Sequence, residues 1–176
     1  MTSSRRWELA SLDSKLHDRG SFACADAPEL ERYLKERATQ DIKRNVARVF
    51  VAMRPEAPGI EGYYSLSACS FLRDQLPSAD AKKLPSYPVP AALIGRLAVH
   101  DRCRGQGLGS FLLVDALSRV HAASHALAVH AVVVDARDHA AALFYRHFGF
   151  QPFPETPLRH FLPLSTVESL VTTNPR

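Results

Sequence analysis

Hydrophobic residues in the first part of the chain form one periodic segment and two continuous runs. After Pro28, apolar residues occupy every fourth position, which predicts an amphipathic helix of about four turns. These positions are Leu30, Leu34, Ala38 and Ile42. Residues 46–51 and 62–67 are rich in β-branched and aromatic side chains, and a segment with proline and glycine separates them. The two runs therefore predict a β-hairpin.

Further apolar segments follow between residues 91 and 150. Residues 91–99 predict a third strand, and after a polar loop the helical spacing of apolar residues from Leu108 to Val120 predicts a second helix. Residues 127–134 are apolar at consecutive positions, which is typical of a strand covered on both faces. Residues 140–147 predict a helix that ends at Gly149, and Phe150 begins another extended segment. This order predicts a mixed α/β fold with helices over a largely antiparallel sheet.

Length and composition favour an ordinary globular protein. A chain of 176 residues has the length of one domain, so residues 1–176 are predicted to form a single domain. Hydrophobic residues at 46% and charged residues at 23% argue against disordered or collagen-like chains. The longest uncharged apolar segment, residues 121–134, is too short to span a bilayer, and no signal peptide is visible. We therefore expect a cytoplasmic protein without membrane contact. Three widely spaced cysteines predict neither a disulfide framework nor a Cys-x-x-Cys metal site.

Positive charge is concentrated in one segment of the chain. The formal net charge is +4, from 22 Lys and Arg against 18 Asp and Glu. Residues 35–54 hold six basic and two acidic residues, which equals the whole excess. Such a segment is either a contact for a polyanion or an ordinary solvated face, and the charges alone leave both interpretations open.

A basic, glycine-rich loop joins the third strand to the second helix. Its sequence is Arg104-Gly105-Gln106-Gly107-Leu108-Gly109-Ser110. The N–H groups of a first helical turn carry the positive end of the helix dipole, and glycines let an anion approach them without a Cβ in the way. The segment therefore predicts a diphosphate site, to which Arg104 adds charge. Its spacing is neither a dinucleotide fingerprint nor a P-loop, and a simple tight turn into a helix is the alternative.

A second segment, about 35 residues downstream, favours the diphosphate interpretation. It contains Asp138 and Phe144 and ends in the pattern Tyr145-x-x-x-Gly149-Phe150. Together with Arg104-x-x-Gly107-x-Gly109, it resembles the acyl-CoA site of the Gcn5-related N-acetyltransferase (GNAT) superfamily. The resemblance implies a mixed, mostly antiparallel sheet with helices on both faces and splayed central strands. It also implies an N-acetyltransferase that uses acetyl-CoA and no metal.

The same resemblance assigns roles to residues of both segments. The loop would grip the pyrophosphate of coenzyme A, and the backbone of the preceding strand would pair with the pantetheine and polarise the acetyl carbonyl. Tyr145 would be the general acid that protonates the departing thiolate; a tyrosine that merely packs on a helix is the structural alternative. The implied coenzyme contacts are Leu97, Ala98, Val99, Arg104, Gly105, Gln106, Gly107, Leu108, Gly109, Ser110, Asp138 and Phe144.

A narrower resemblance covers nearly the whole chain. It is to the acetyltransferase toxins of bacterial toxin–antitoxin pairs, which modify aminoacyl-tRNA. It rests on Phe22-Ala23-Cys24, Tyr33-Leu34, Gln40-Asp41, residues 46–51, residues 62–67, and residues 84–90 leading to Gly95-Arg96-Leu97-Ala98-Val99. The resemblance implies a toxin that acetylates the α-amino group of aminoacyl-tRNA and so blocks translation. It also implies a homodimer and a ribbon-helix-helix antitoxin, through which alone the complex would bind operator DNA.

The toxin interpretation gives the basic segment a predicted ligand, because Lys and Arg bind tRNA phosphates without reading sequence. The predicted tRNA contacts are Arg37, Lys43, Arg44, Arg73, Lys82, Lys83 and Arg96. Two other activities stay open: an acetyltransferase of the same fold that acts on a protein N-terminus or a small amine, and a co-repressor that binds acyl-CoA without turnover. His121 and His125 share a helix face, but no third ligand accompanies them and no metal site is predicted.

Overall fold

The computed structural model describes residues 6–173. The strands in this range are β1 (Glu8–Ser11), β2 (Arg48–Met53), β3 (Ile60–Phe71), β4 (Val89–Val99), β5 (Ala131–Asp135), β6 (Gln151–Phe153) and β7 (Thr156–Pro163). The helices there are α1 (Pro28–Arg32), α2 (Ala38–Lys43), α3 (Ser78–Ala81), α4 (Leu108–Ser124), α5 (His139–His147) and α6 (Leu164–Thr173). The predicted mixed α/β fold is confirmed.

The strands pair in the order β1-β2-β3-β4-β5-β7-β6. Pairing is antiparallel between β1 and β2, β2 and β3, β5 and β7, and β6 and β7, whereas β4 and β5 are parallel. Val49 of β2 lies opposite Ser65 of β3, so the predicted hairpin is confirmed. The parallel register of β4 with β5 runs only from Ala91 to Ile94. β4 thus continues beyond its pairing with β5, as expected for splayed central strands.

The chain forms two compact units. One comprises the residues up to Ser67 together with Arg96–Val114, and the other comprises Ala68–Gly95 together with the chain from Asp115 onward. Strands β3 and β4 and helix α4 contribute residues to both units. Each unit has its own buried core, built around Phe22, Leu34 and Tyr63 in the first and around Phe71, Phe153 and Phe161 in the second. The single domain expected for residues 1–176 stays a prediction.

The first predicted helix contains a π-helical turn, Tyr33–Arg37, which joins α1 to α2. An α-helix has 3.6 residues per turn, so positions exactly four apart drift away from one face. A π turn closes i→i+5 hydrogen bonds and holds more residues per turn, which offsets that drift. Leu34 and Ala38 are fully buried, and Leu30 and Ile42 pack against the same core. The helix is confirmed, and the π turn explains its four-residue repeat.

The start of one predicted strand was wrong, and several elements were not predicted. The strand expected at residues 127–134 begins only at Ala131, and Leu127 is 65% exposed. Residues 131–134 are all fully buried, which confirms a strand covered on both faces. Strands β1 and β7 and helices α3 and α6 have no counterpart in the prediction. Helices α4 and α5 begin and end close to the predicted positions.

The described residues contain neither a membrane-spanning helix nor a metal-ligand cluster. Between residues 6 and 173, no helix is both long and apolar enough to cross a bilayer. In the same range, no group of three or more His, Cys, Asp or Glu side chains is placed to hold a metal ion. The rings of His121 and His125 contact each other with centroids 5.1 Å apart.

The free thiols are those of Cys24, Cys69 and Cys103.

Candidate active site

The glycine-rich loop follows β4 and leads into α4, whose first turn contains Leu108, Gly109 and Ser110. Gly105 (φ +69°) and Gly107 (φ +86°) adopt left-handed backbone conformations, which residues with side chains rarely adopt. A Cβ on either glycine would meet no atom within 4 Å. The loop is therefore open where a side chain would stand, and the N–H groups of the first turn of α4 have no intrahelical partner. The arrangement fits a bound pyrophosphate.

The strand before the loop offers unpaired backbone. Residues 95–99 of β4 lie beyond Ile94, the last residue in register with β5. Ala98 is buried, whereas Leu97 and Val99 are half-buried. An extended chain carries N–H and C=O groups along both edges, and one edge of this segment lacks its β5 partner. Because successive residues direct their backbone groups to opposite edges, alternate residues among Leu97, Ala98 and Val99 can hydrogen-bond a ligand such as the amides of pantetheine along that edge.

Arg104 is bound to carboxylates of the protein itself. Its guanidinium forms ion pairs with Asp101, at 2.9 Å, and with Asp26. Its Nη2 also lies 3.8 Å from Sγ of Cys24. The hydrogen bond with Asp26 raises the pKa of the guanidinium further, so Arg104 is charged but balanced by neighbouring carboxylates. A pyrophosphate at this loop would share Arg104 with Asp26 and Asp101.

Gln106 connects the loop to arginines that the sequence analysis did not single out. Its Nε2 donates to the carbonyl of Arg102 at 2.9 Å. Its Oε1 accepts from Arg6 and, at 3.5 Å, from Nη2 of Arg54. These contacts join residues from positions 6, 54, 102 and 106, and chain spacing alone gives no signal of them.

Glu61 is a buried carboxylate beneath this group of arginines. It accepts hydrogen bonds from Nε1 of Trp7 at 2.8 Å and from Nε of Arg54 at 3.0 Å. Nη2 of Arg102 lies 3.8 Å from its Oε1. Burial alone would raise the pKa of Glu61, but the hydrogen bonds from Trp7, Arg54 and Cys103 outweigh burial and lower it. The only sequence signal for this residue is an acid inside the apolar run of β3.

We expect Glu61→Gln to destabilise the protein at neutral pH by roughly 1–3 kcal/mol, between the values typical of exposed and buried ion pairs. Because the folded pKa of Glu61 lies below its unfolded value, its stabilisation is complete above about pH 4.3 and is lost as the pH falls through the folded pKa. Urea unfolding at several pH values should therefore show the difference between variant and wild type closing on acidification.

The matched control is Glu155→Gln, which changes an exposed carboxylate in the second unit. This variant should unfold like the wild type at neutral pH. A Glu61→Gln difference that persists unchanged at pH 3 would show that shape or packing, rather than the charge, is responsible.

Helix α5 carries the other predicted site residues. Oδ1 of Asp138 accepts a hydrogen bond from the N–H of Ala141 at 2.8 Å and so caps the helix, while Oδ2 accepts from Arg137. Asp138 therefore has a structural role, and its predicted contact with the coenzyme stays a prediction. Phe144 is half-buried and packs against Tyr145 and Phe148. Gly149 (φ +95°) ends the helix as predicted.

Tyr145 combines a buried ring with an accessible hydroxyl. The residue is 7% exposed, and its ring contacts those of Phe144 and Phe150. Within residues 6–173, the hydroxyl has no hydrogen-bond partner. In the same range, every side-chain oxygen or nitrogen that is fully buried does have a partner. The hydroxyl is therefore not sealed from solvent. Burial raises the pKa of Tyr145, so the hydroxyl keeps its proton at neutral pH, as a general acid must before it reacts.

Four of the predicted tRNA contacts lie in the first unit. Arg37 and Arg96 line a cavity of about 270 Å³ together with Glu29, Arg32, Tyr33 and Asp41. The guanidinium of Arg96 lies 3.6 Å from the centroid of the Tyr33 ring. Lys43 and Arg44 are exposed at the end of α2. The first unit thus presents basic side chains at α2 and at this cavity.

The other three predicted tRNA contacts belong to the second unit. Nη1 of Arg73 donates to the carbonyl of Leu84 at 2.9 Å. This hydrogen bond joins the two ends of the segment that contains α3. Lys82 and Lys83 are exposed directly after α3. Exposed lysines of this kind are able to contact phosphates, and the role of all three residues stays a prediction.

The chain is similar to known proteins in both sequence and fold. The family model described as the acetyltransferase (GNAT) domain matches residues 46–152. The tRNA-acetylating toxin of Mycobacterium tuberculosis (strain ATCC 25618 / H37Rv) is 34% identical over 90% of this chain and 93% of its own. A structure of AtaT complexed with acetyl-methionyl-tRNAfMet superposes with a TM-score of 0.85 and 28% identity over 93% of this chain and 98% of that one. A structure of an AtaT mutant bound to acetyl-CoA and the C-terminus of the antitoxin AtaR superposes with a TM-score of 0.81 and 25% identity over 95% of this chain and 99% of that one.

Proposed function

The chain belongs to the GNAT acetyltransferase family, and we propose that it transfers the acetyl group of acetyl-CoA to the α-amino group of aminoacyl-tRNA and so acts as a toxin that blocks translation. It is an N-acetyltransferase that uses acetyl-CoA. The observation that carries the proposal is the open glycine-rich loop after the free end of β4, in a chain that matches a tRNA-acetylating toxin over 90% of its length.

The residues described above have separate roles in the proposed reaction. Acetyl-CoA supplies an acetyl thioester. The N–H groups of the glycine-rich loop would bind its pyrophosphate, and the backbone of Leu97, Ala98 and Val99 would pair with its amides and polarise the acetyl carbonyl. Tyr145 would donate the proton of its hydroxyl to the departing sulfur.

The chemistry of the acceptor explains why no strong base is required. An α-amino group has a pKa of about 7.7–8.0, against about 10.4 for lysine, so an aminoacyl ester offers a useful neutral fraction near pH 7. Charge supports a tRNA as the carrier of that amine. Arg37, Lys43, Arg44 and Arg96 would contact its phosphates from the first unit, and Arg73, Lys82 and Lys83 from the second.

Partners follow from the toxin assignment. The AtaT structures with tRNA and with the C-terminus of AtaR support a charged tRNA and an antitoxin as partners. We extend the proposal to a ribbon-helix-helix antitoxin, through which the complex would bind DNA, and to a toxin homodimer. The compartment would be the cytoplasm, where charged tRNA is found.

The deciding experiment follows labelled acetyl groups from acetyl-CoA to a panel of acceptors. The panel contains charged tRNA, deacylated tRNA, charged tRNA with a blocked α-amino group, an N-terminal peptide and a polyamine. We expect label on charged tRNA with a free amine and on no other acceptor. Label on the peptide or polyamine but not on tRNA would replace the tRNA assignment by a protein or small-amine acetyltransferase. Binding of acetyl-CoA with no transfer at all would favour a co-repressor.

A further inference from the structure

Three arginines that the proposed reaction does not use surround the side chain of Gln106. Arg6 and Arg54 both donate to its Oε1, and the carbonyl of Arg102 accepts from its Nε2. All three arginines contact Gln106 or Glu61, and their side chains retain access to solvent. We call Arg6, Arg54 and Arg102 the guanidinium cluster.

The guanidinium cluster carries more positive charge than its surroundings balance. Glu61 is the carboxylate that pairs with Arg54 and Arg102, at 3.0 and 3.8 Å. Within residues 6–173, no carboxylate forms an ion pair with Arg6. Asp26 and Asp101 are already paired with Arg104. Two of the three guanidiniums share one buried carboxylate and the third pairs with none, which leaves a net charge of about +2 at this surface.

Trp7 positions two of the three arginines of the cluster. The guanidinium carbons of Arg6 and Arg54 lie 4.7 and 5.7 Å from the centroid of its ring. The ring itself is buried, donates to Glu61 and packs against Phe111 in the first turns of α4, with centroids 5.7 Å apart. Guanidiniums placed over an aromatic ring lose little freedom when they bind an anion, since cation–π contact already orders them.

We propose that the guanidinium cluster binds the phosphate monoester on the ribose of coenzyme A, the 3′-phosphate, as a second anion site beside the pyrophosphate loop. This inference rests on the proposed use of acetyl-CoA. Gln106 belongs to the loop that would hold the pyrophosphate, and the 3′-phosphate is separated from the pyrophosphate only by the ribose. A phosphate monoester presents a dianion to the planar N–H donors of arginine, which match its geometry.

The test compares coenzyme A with 3′-dephospho-coenzyme A, which lacks this phosphate, by titration calorimetry. We expect the wild type to bind coenzyme A about tenfold more tightly, as for a single solvent-exposed charged hydrogen bond. Arg6→Gln and Arg102→Gln should reduce this preference to about twofold while leaving the affinity for the dephospho form unchanged. Raising the salt concentration should weaken the preference, because the arginines are exposed to solvent.

Arg48→Gln is the matched control, since Arg48 is an exposed arginine at the opposite end of β2. This variant should keep the full preference. Thermal unfolding of each variant confirms that it is folded; Arg54 is left intact because it is fixed by Glu61.

Each other outcome has a definite meaning. An unchanged preference in Arg6→Gln and Arg102→Gln, or equal affinity of the wild type for both nucleotides, overturns the inference. If the two variants keep the preference but lose affinity for tRNA in a parallel titration, the phosphate recognised here is one of tRNA, and the assignment to coenzyme A is wrong. Failure of the wild type to bind either nucleotide would instead contradict the proposed function itself.

Discussion

Replacing Tyr145 by phenylalanine is expected to lower kcat for acetyl transfer by a hundredfold or more, the typical contribution of a positioned general acid. The substitution removes only the hydroxyl. The buried ring and its contacts with Phe144 and Phe150 are retained. Because the leaving sulfur then receives its proton from water, the loss should appear in kcat, while the dissociation constant of acetyl-CoA stays the same. Stopped-time assays with labelled acetyl-CoA and charged tRNA, together with calorimetry, measure both quantities.

Stability provides an internal check on this prediction. The hydroxyl of Tyr145 has no hydrogen-bond partner among residues 6–173, so its removal should leave the free energy of unfolding nearly unchanged. Tyr87→Phe is the matched control, because Tyr87 is 68% exposed and has no assigned role. Full activity of Tyr145→Phe would show that another group, or water, protonates the sulfur. A loss shared equally by Tyr87→Phe would point to a general effect of the substitution.

The elements that the sequence predicted best are those whose signal is local. Helix α5 ends at Gly149 because that residue adopts φ +95°, and glycine is the residue that adopts it without strain. The hairpin of β2 and β3 was predicted because both strands carry β-branched and aromatic side chains around a proline-containing turn. The start of β5 was missed because Leu127 is apolar but exposed, and its position depends on tertiary contacts that a pattern does not contain.

In the candidate site, too, some parts have a local sequence signal and others depend on long-range contacts. The glycine-rich loop was predictable because left-handed glycines and a helix start leave a continuous sequence signature. The contacts among Trp7, Glu61 and Gln106 were not, because the sheet and the loop bring together residues that are far apart in the chain. The balance of Arg104 by Asp26 was hidden for the same reason, since 78 positions separate them. Long-range pairing, rather than residue type, decides which charges face the loop.

Replacing Gly107 by asparagine is expected to weaken the binding of acetyl-CoA by about a hundredfold, the equivalent of losing one or two charged hydrogen bonds. Gly107 has φ +86°, and asparagine tolerates left-handed backbone better than most residues. A Cβ at this position meets no protein atom within 4 Å, so the protein itself does not oppose the side chain. The new amide would instead occupy the open space over the loop, where the pyrophosphate is proposed to lie.

In Gly107→Asn, the affinity for acetyl-CoA should change far more than the stability of the fold. The free energy of unfolding should change by no more than about 1 kcal/mol, the usual cost at a left-handed position. Gly107→Ala, with the smaller side chain, should lose less affinity than Gly107→Asn, and Gly20→Asn, in a different loop, should lose none. Calorimetry with acetyl-CoA and urea unfolding measure the two effects independently. A folded Gly107→Asn protein that binds acetyl-CoA as tightly as the wild type would place the pyrophosphate elsewhere, because no anion could reach these N–H groups past the added side chain.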